Sequence, residues 1–309
     1  MKKEIIVVCG PTASGKTALS VELAKRLNGE VVSADSMQIY KELNIGTAKP
    51  DAAERQGIPH HMLDVVSVRE SYSVSRYERE AAACVEAVWA RGRQPIVCGG
   101  TGLYINALIH GAGFSVCDDS GRTRADLEAE WDSRGAAAMK EELALVDPES
   151  AARLHENDRK RILRALEVYR LTGRTITAHN AETQTRPPRY ASRFLGICPA
   201  DRAVLYERID RRVLDMMARG LLEEVTALEE QGLLTGTAAQ AIGYKELLGF
   251  LHGSCTLEES VAQIQQKSRN YAKRQLTWFR RDARVQWIEY EKNSSLDRIV
   301  EKATNFLSV

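Results

Sequence analysis

At 309 residues, 44% hydrophobic and 28% charged, the chain is long enough to bury a sizeable core and is expected to fold as one large domain carrying an insertion, or as two domains. That composition excludes a disordered or fibrous chain, and no apolar run reaches the roughly 18 residues of a membrane span, so a soluble protein without a membrane partner is expected. The formal net charge of +1 excludes a globally basic nucleic-acid binder, so any nucleic-acid site must come from local clusters of Lys and Arg.

The first apolar run, Ile5 to Cys9, reads as a strand. It lies so close to the first residue that a secretory leader is not expected, and the chain is expected in the cytoplasm. Gly10-Pro11-Thr12-Ala13-Ser14-Gly15-Lys16-Thr17 follows, and a helix is expected from about Lys16 to Leu27. This is G-x-x-x-x-G-K-[ST] between a strand and a helix. The glycines let backbone N–H groups turn onto phosphate oxygens, the helix N-terminus adds its dipole, Lys16 supplies a cation, and the Thr17 hydroxyl suits Mg2+. A chance glycine-rich turn is the bland reading, and the flanking strand and helix argue against it. The motif does not select its phosphate ester; ATP or GTP in a P-loop kinase or NTPase is the default.

Val31 to Ala34 reads as the next strand and places Asp35 at its carboxyl end, where ligands meet open α/β sheets. Asp35 is then a Mg2+ ligand, a general base that takes a proton from an incoming nucleophile, or simply a helix-capping or turn residue. His60 and His61, adjacent on a strand, point to opposite faces, so at most one is functional. Pro95 to Cys98 reads as a further strand leading into Gly99-Gly100-Thr101-Gly102, where Thr101 is either a site hydroxyl or a turn hydroxyl. The six cysteines form no C-x-x-C pair and read as reduced packing residues. Strands alternating with helices place the chain in the α/β class, as a P-loop NTPase-like parallel sheet flanked by helices.

From about Phe114 to Tyr190 the sequence turns polar and helix-rich, with Asp147-Pro148 and Asp158 as helix starts and Gly173 as a stop. This predicts a smaller all-helical insertion domain, 115–190, inside a catalytic core formed by 1–114 and 191–309. Thr183 to Arg193 is its return linker. His179 and Tyr190 read as structural. Phe194 to Cys198 and Val285 to Tyr290 read as strands, with amphipathic helices between them.

Two basic clusters stand out. Arg159, Lys160, Arg161 and Arg164 lie in the first turns of a helix, where cations oppose the helix dipole, so an anionic partner would explain them. Lys267, Arg269, Lys273, Arg274, Arg280 and Arg281 are interleaved with Tyr271, Trp278 and Phe279. Helical spacing puts Tyr271, Arg274, Trp278 and Arg281 on one face, suited to stacking bases and pairing phosphates. Solvated charge runs with aromatics in the core are the alternative.

The P-loop, Asp35-Ser36-Met37-Gln38-Ile39-Tyr40, Asn44 to Pro50, His60 to Asp64, Gly99 to Tyr104, Arg161 to Tyr169, Ile242-Gly243-Tyr244-Lys245 and Lys273 to Arg280 together resemble the tRNA dimethylallyltransferases, also called tRNA isopentenyltransferases. The resemblance covers nearly the whole chain, although Cys117 to Thr123 matches nothing in that family. It implies that the P-loop, Gly10 through Thr17, holds the diphosphate of dimethylallyl diphosphate, with Mg2+ on Thr17. The dimethylallyl group would move to N6 of adenosine 37 in tRNAs that read codons beginning with U. The implied catalytic residues are Asp35 as base, Thr101 as hydroxyl partner of the amine, and Lys16 and Arg208 on the leaving diphosphate.

The implied tRNA contacts are Asp35, Ser36, Met37, Gln38 and Thr101 around the base, then Arg124, Lys160, Arg161 and Arg164 in the insertion. Gly243, Tyr244, Lys245, Lys273, Arg274, Gln275, Trp278 and Arg280 complete them. A stacked anticodon-loop adenine must leave its stack to react, so a channel open at both ends is expected, with a monomer engaging the anticodon stem-loop. Two rivals remain: a P-loop kinase of a nucleoside or small metabolite, and a nucleotide-switched RNA-binding protein without covalent chemistry. Neither accounts for Ile242 to Lys245 together with Lys273 to Arg280.

Overall fold

The computed structural model describes residues 3–111, 121–185 and 187–307. These divide into two compact units, 1–109 with 190–309, and 110–189. The start expected for the insertion, at 115, lies outside the described residues, as does Cys117.

The larger unit is built on six strands, β1 (Glu4–Cys9), β2 (Gly29–Ser33), β3 (His60–His61), β4 (Gln94–Gly99), β5 (Ala191–Pro199) and β6 (Val285–Tyr290). All pair in parallel in the order β3-β2-β4-β1-β5-β6, with Ile6 opposite both Ile96 and Arg193. The helices crossing between them are α1 (Lys16–Arg26), α2 (Ala52–Arg55), α3 (Val74–Ala90) and α4 (Gly102–His110). A sheet covered on both faces needs strands that are apolar throughout, which is why β1 shows a continuous hydrophobic run and no alternation. Its Ile5, Val7 and Cys9 pack with Tyr77, Ala81 and Val85 of α3, and with Tyr104, Ile105 and Leu108 of α4. Ile6 and Val8 face the other way, onto Leu19 and Leu23 of α1.

The smaller unit holds α5 (Arg122–Val146), α6 (Pro148–Arg153), α7 (Arg159–Thr172) and α8 (Ile176–Thr185), with its own core around Leu127, Met139, Leu143, Ile162 and Leu166. Asp147 caps α6 by accepting from the Ser150 amide at 3.1 Å, and Gly173, at φ 68°, ends α7. Asp158 stands at the N-cap of α7 without capping it; its carboxylate takes Arg161 instead, at 2.5 Å. The expected return linker is shorter than read from sequence, because α8 runs to Thr185 and β5 begins at Ala191.

Beyond β5 come α9 (Arg202–Ala218), α10 (Leu221–Glu230), α11 (Tyr244–Leu251), α12 (Leu257–Phe279) and, after β6, α13 (Leu296–Leu307). The last, not anticipated from sequence, seals the α1 face of the sheet with Ile299, Val300, Ala303 and Leu307. Helices α9 to α11 form a separate cluster with Ile39, Tyr40 and Leu43 and so support the loop that follows β2. Because every strand points the same way, the loops after β1, β2 and β4 emerge together at one edge of the sheet. His61 Nε2 lies 2.6 Å from Glu30 at the start of β2, which ties the short edge strand β3 to its neighbour, and His60 Nδ1 lies 2.9 Å from the Ile58 carbonyl two residues before it.

Candidate active site

Side chains tie three carbonyls of the phosphate cradle. Lys16 Nζ donates to the Pro11 carbonyl at 2.6 Å, Arg208 Nε to that of Ala13 at 2.8 Å, and the Tyr290 hydroxyl to that of Ser14 at 2.9 Å. With these carbonyls engaged, the loop amides that the protein leaves unpaired are the groups that attract an anion. Gly10 adopts φ 145°, and a Cβ there would come within 2.4 Å of the Ile197 carbonyl oxygen, so the motif's first glycine is needed for close approach to β5. Gly15, at φ 90°, opens α1 with no side-chain cap, which leaves the helix's first amides for a ligand. Ser14 is buried, and its hydroxyl has no hydrogen-bond partner among the described residues. Burial pushes the Lys16 ammonium below its ordinary value; neighbouring Cys98 opposes that fall, Arg212 adds to it, and Asp35 opposes it.

Asp35 follows β2 and is half-buried. Its Oδ1 accepts from the amides of Met37 at 2.9 Å and Gln38 at 3.4 Å, so the turn reading holds for one oxygen. The other oxygen makes no hydrogen bond among the described residues and remains able to accept one. Thr101, in the loop after β4, accepts from the Ser36 amide at 3.1 Å and lies 3.4 Å from the Ser36 hydroxyl. It therefore fixes the segment that carries Asp35. Gln38 ties that segment back to its own loop through the Thr47 and Ala48 carbonyls, at 3.1 and 3.2 Å.

The residues expected to face RNA divide. Lys245, Lys273, Arg274 and Arg280 are exposed, and Trp278 keeps 45% of its surface open while its indole lies against Gly102. Tyr244 and Gly243 are buried, Tyr244 completely, because its phenol donates to Glu224 at 2.5 Å and its ring packs on Gly46. Gln275 is 5% exposed, with both amide atoms engaged inside the protein. Tyr244 and Gln275 therefore hold the site's loops, and none of the three offers a surface to RNA. Among the aromatics of α12, Phe279 is in the core and Tyr271 turns inward to Thr101 and Gln275. In the smaller unit Lys160 and Arg161 are exposed, whereas Arg124 pairs with Glu128 at 3.0 Å and Arg164 with Glu167 at 2.9 Å.

The model of the family described as IPP transferase matches residues 38–282. The chain belongs to the IPP transferase family. The tRNA dimethylallyltransferase of Geobacillus thermodenitrificans is 47% identical, covering 94% of this chain and 91% of its own. That of Acetivibrio thermocellus is 44% identical, covering 98% and 97%. Among solved structures, the full-length tRNA isopentenylpyrophosphate transferase from Bacillus halodurans is similar with a TM-score of 0.74 at 41% identity, over 99% of this chain and 96% of that one. A eukaryotic dimethylallyltransferase acting on tRNA is similar with a TM-score of 0.84 at 31% identity, over 99% and 80%.

In this IPP transferase Arg212 and Glu224 join the site although the motifs alone did not single them out, and Tyr271, expected on a base-stacking face of α12, turns inward. Arg212, one turn beyond Arg208 on α9, is charge-coupled to Asp35 and makes no ion pair or hydrogen bond among the described residues; burial pushes its guanidinium down and Asp35 opposes this. The spacing of Arg208 and Arg212 was the available signal, since residues four apart share a helix face. Tyr271 faces Thr101 and Gln275, and burial followed by the Asp35 charge pushes its phenol up to about 12. Glu224 on α10 accepts from the amides of Ile45 at 2.9 Å and Gly46 at 3.2 Å, and from the Tyr244 phenol. Nothing local in sequence pointed to it.

Proposed function

We propose that this IPP transferase moves the dimethylallyl group of dimethylallyl diphosphate onto N6 of adenosine 37 in tRNAs reading codons that begin with U, releasing diphosphate and leaving N6-(dimethylallyl)adenosine. One observation carries the reading: an anion cradle and a carboxylate with an oxygen that makes no hydrogen bond among the described residues stand together at the carboxyl edge of the sheet, and both Lys16 and Arg212 feel the Asp35 charge.

Breaking the allylic C–O bond leaves positive charge on the prenyl carbon and negative charge on the departing diphosphate. Donors already aimed at the diphosphate stabilise that separation without reorganising. The loop amides, Lys16, Arg208 and Arg212 are those donors. The free oxygen of Asp35 accepts a hydrogen bond from the exocyclic amine and orients its nitrogen toward the carbon. As the N–C bond forms, the amine's surplus proton passes to Asp35 and then to solvent. Thr101 holds the Asp35 segment through the Ser36 amide and supplies a hydroxyl beside the amine.

The donor set suits Mg2+. The Thr17 hydroxyl, half-buried at the start of α1, makes no hydrogen bond among the described residues, and a hard cation taking one such oxygen fills its other positions with diphosphate oxygens and water. No group of His, Cys, Asp or Glu among the described residues is arranged to hold a metal independently, so the ion would arrive with the diphosphate. When bound it would neutralise charge on the leaving group.

The exposed cations of α12 and of α7 support contact with the tRNA anticodon stem-loop. No helix among the described residues is long and apolar enough to cross a membrane, and the enzyme is proposed to act as a cytoplasmic monomer. Incubation with tRNA, Mg2+ and dimethylallyl diphosphate, followed by digestion to nucleosides, is expected to give an adenosine heavier by one dimethylallyl group. Saturable phosphoryl transfer from ATP with no prenylated nucleoside would establish the kinase reading instead.

A further inference from the structure

Gln275 lies on the buried side of α12, the helix whose outer side carries Lys273 and Arg274. Its Oε1 accepts from the Thr12 amide of the P-loop at 2.8 Å, and its Nε2 donates to the Gly100 carbonyl at 3.0 Å. One side chain thus spans the loop after β1 and the loop after β4. Tyr271, one turn earlier, faces both Gln275 and Thr101, and Thr101 in turn holds Ser36 beside Asp35. The fit is tight. A Cβ at Gly100 would fall 2.0 Å from Gln275 Nε2, and one at Gly102 would fall 2.1 Å from Trp278 Nε1, so the glycines of this loop are the space that α12 occupies.

We propose that Gln275 is a positioning residue that sets the distance between the diphosphate cradle and the Asp35–Thr101 acceptor loop, and so the distance over which the prenyl carbon meets the amine. The inference rests on the prenyl-transfer reading above. Transfer between two bound groups is sensitive to their separation, and an error of about 1 Å costs on the order of a hundredfold in rate. A side chain that fixes both loops supplies that constraint without touching either substrate. The Thr12 amide is consequently engaged by the protein, and the diphosphate is left with the remaining amides of the loop.

Gln275→Met keeps the volume and removes both bonds; Gln275→Glu keeps the acceptor for Thr12 but sets an oxygen against the Gly100 carbonyl. The full chain with each change is compared with the wild type by amide hydrogen exchange and by transfer kinetics with tRNA and dimethylallyl diphosphate. Exchange is expected to quicken in segments 10–17 and 99–104 and not elsewhere. The kcat is expected to fall about tenfold to a hundredfold, with KM for both substrates within about threefold of the wild type. Unchanged exchange in both segments overturns the brace. Faster exchange with wild-type kcat overturns its positioning role, and a loss confined to KM for tRNA makes Gln275 an RNA contact and also overturns it. A wild-type chain that prenylates nothing removes the functional reading, while the exchange comparison still judges the brace.

Discussion

At Asp35 two readings that compete in the sequence are both satisfied by one side chain. Oδ1 closes the turn onto the amides of Met37 and Gln38, and the second oxygen is left for chemistry. An Asn at that position can still accept from those amides but cannot take a proton, so Asp35→Asn is expected to keep the fold and lose about 10²–10⁴ in kcat. Near-normal turnover in a variant with the wild-type melting temperature removes the base role. Lys16, Thr17 and Asp35 were legible because each sits within a few residues of a strand end, where local pattern fixes position. Arg212 and Gln275 were not legible in the same way: the Gln275 bond to Thr12 joins residues 263 apart, and no local spacing encodes which turn of a distant helix meets a loop.

Among elements, the loop from Ser36 to Lys49 has almost no regular structure and is held by contacts instead. The buried Lys49 ammonium donates to the Tyr40 carbonyl at 2.7 Å and to Asn44 Oδ1 at 2.8 Å, and pairs with Asp64 at 2.5 Å. Glu224 and Tyr244 close the far side. Tyr244→Phe keeps the ring against Gly46 but leaves the Glu224 carboxylate short of a donor, and is expected to cost about 1–3 kcal/mol by chemical denaturation and to raise KM for tRNA. Wild-type stability and KM would mean that Tyr244 acts only by filling space. The resemblance placed Gly243 to Lys245 at the RNA because the family motif is contiguous there; Gly243 and Tyr244 are buried and only Lys245 is exposed. On α12 the division is by helix face, and Lys273 and Arg274 point outward. Lys273→Glu with Arg274→Glu is expected to weaken tRNA binding and flatten its salt dependence by about 0.7–0.9 per lost phosphate contact. An unchanged slope of log affinity against log salt would place the RNA elsewhere.

For the molecule as a whole, the parallel sheet was readable from alternating apolar runs, yet its edge was not, since β3 is only two residues, His60–His61. That edge depends on charge. Arg91 foremost, and His61 after it, hold the Glu30 carboxyl at about 2, below the usual 4.5, and Arg93 lies 3.2 Å from it. A depressed carboxyl stabilises the fold above its unfolded value and loses that contribution as pH falls toward its folded value. The melting temperature of wild type should therefore drop between pH 4.5 and 2 more steeply than that of Glu30→Gln, and parallel curves would remove Glu30 from the acid response.

The smaller unit offers a separable test, because its two ends leave the larger one side by side: the Tyr190 amide donates to the Ile109 carbonyl at 3.3 Å. A chain entering and leaving at one point can be cut out without stretching the host, and the excised unit takes its own core of Leu127, Met139, Leu143 and Ile162 with it. Replacing 111–189 by a short glycine-serine link is therefore expected to leave a cooperative unfolding transition and binding of inorganic diphosphate with Mg2+. Affinity for tRNA should fall at least about tenfold with the loss of Lys160 and Arg161. Loss of the unfolding transition would mean that the two units fold as one, and undiminished tRNA affinity would confine the RNA site to α12 and the loops around Asp35.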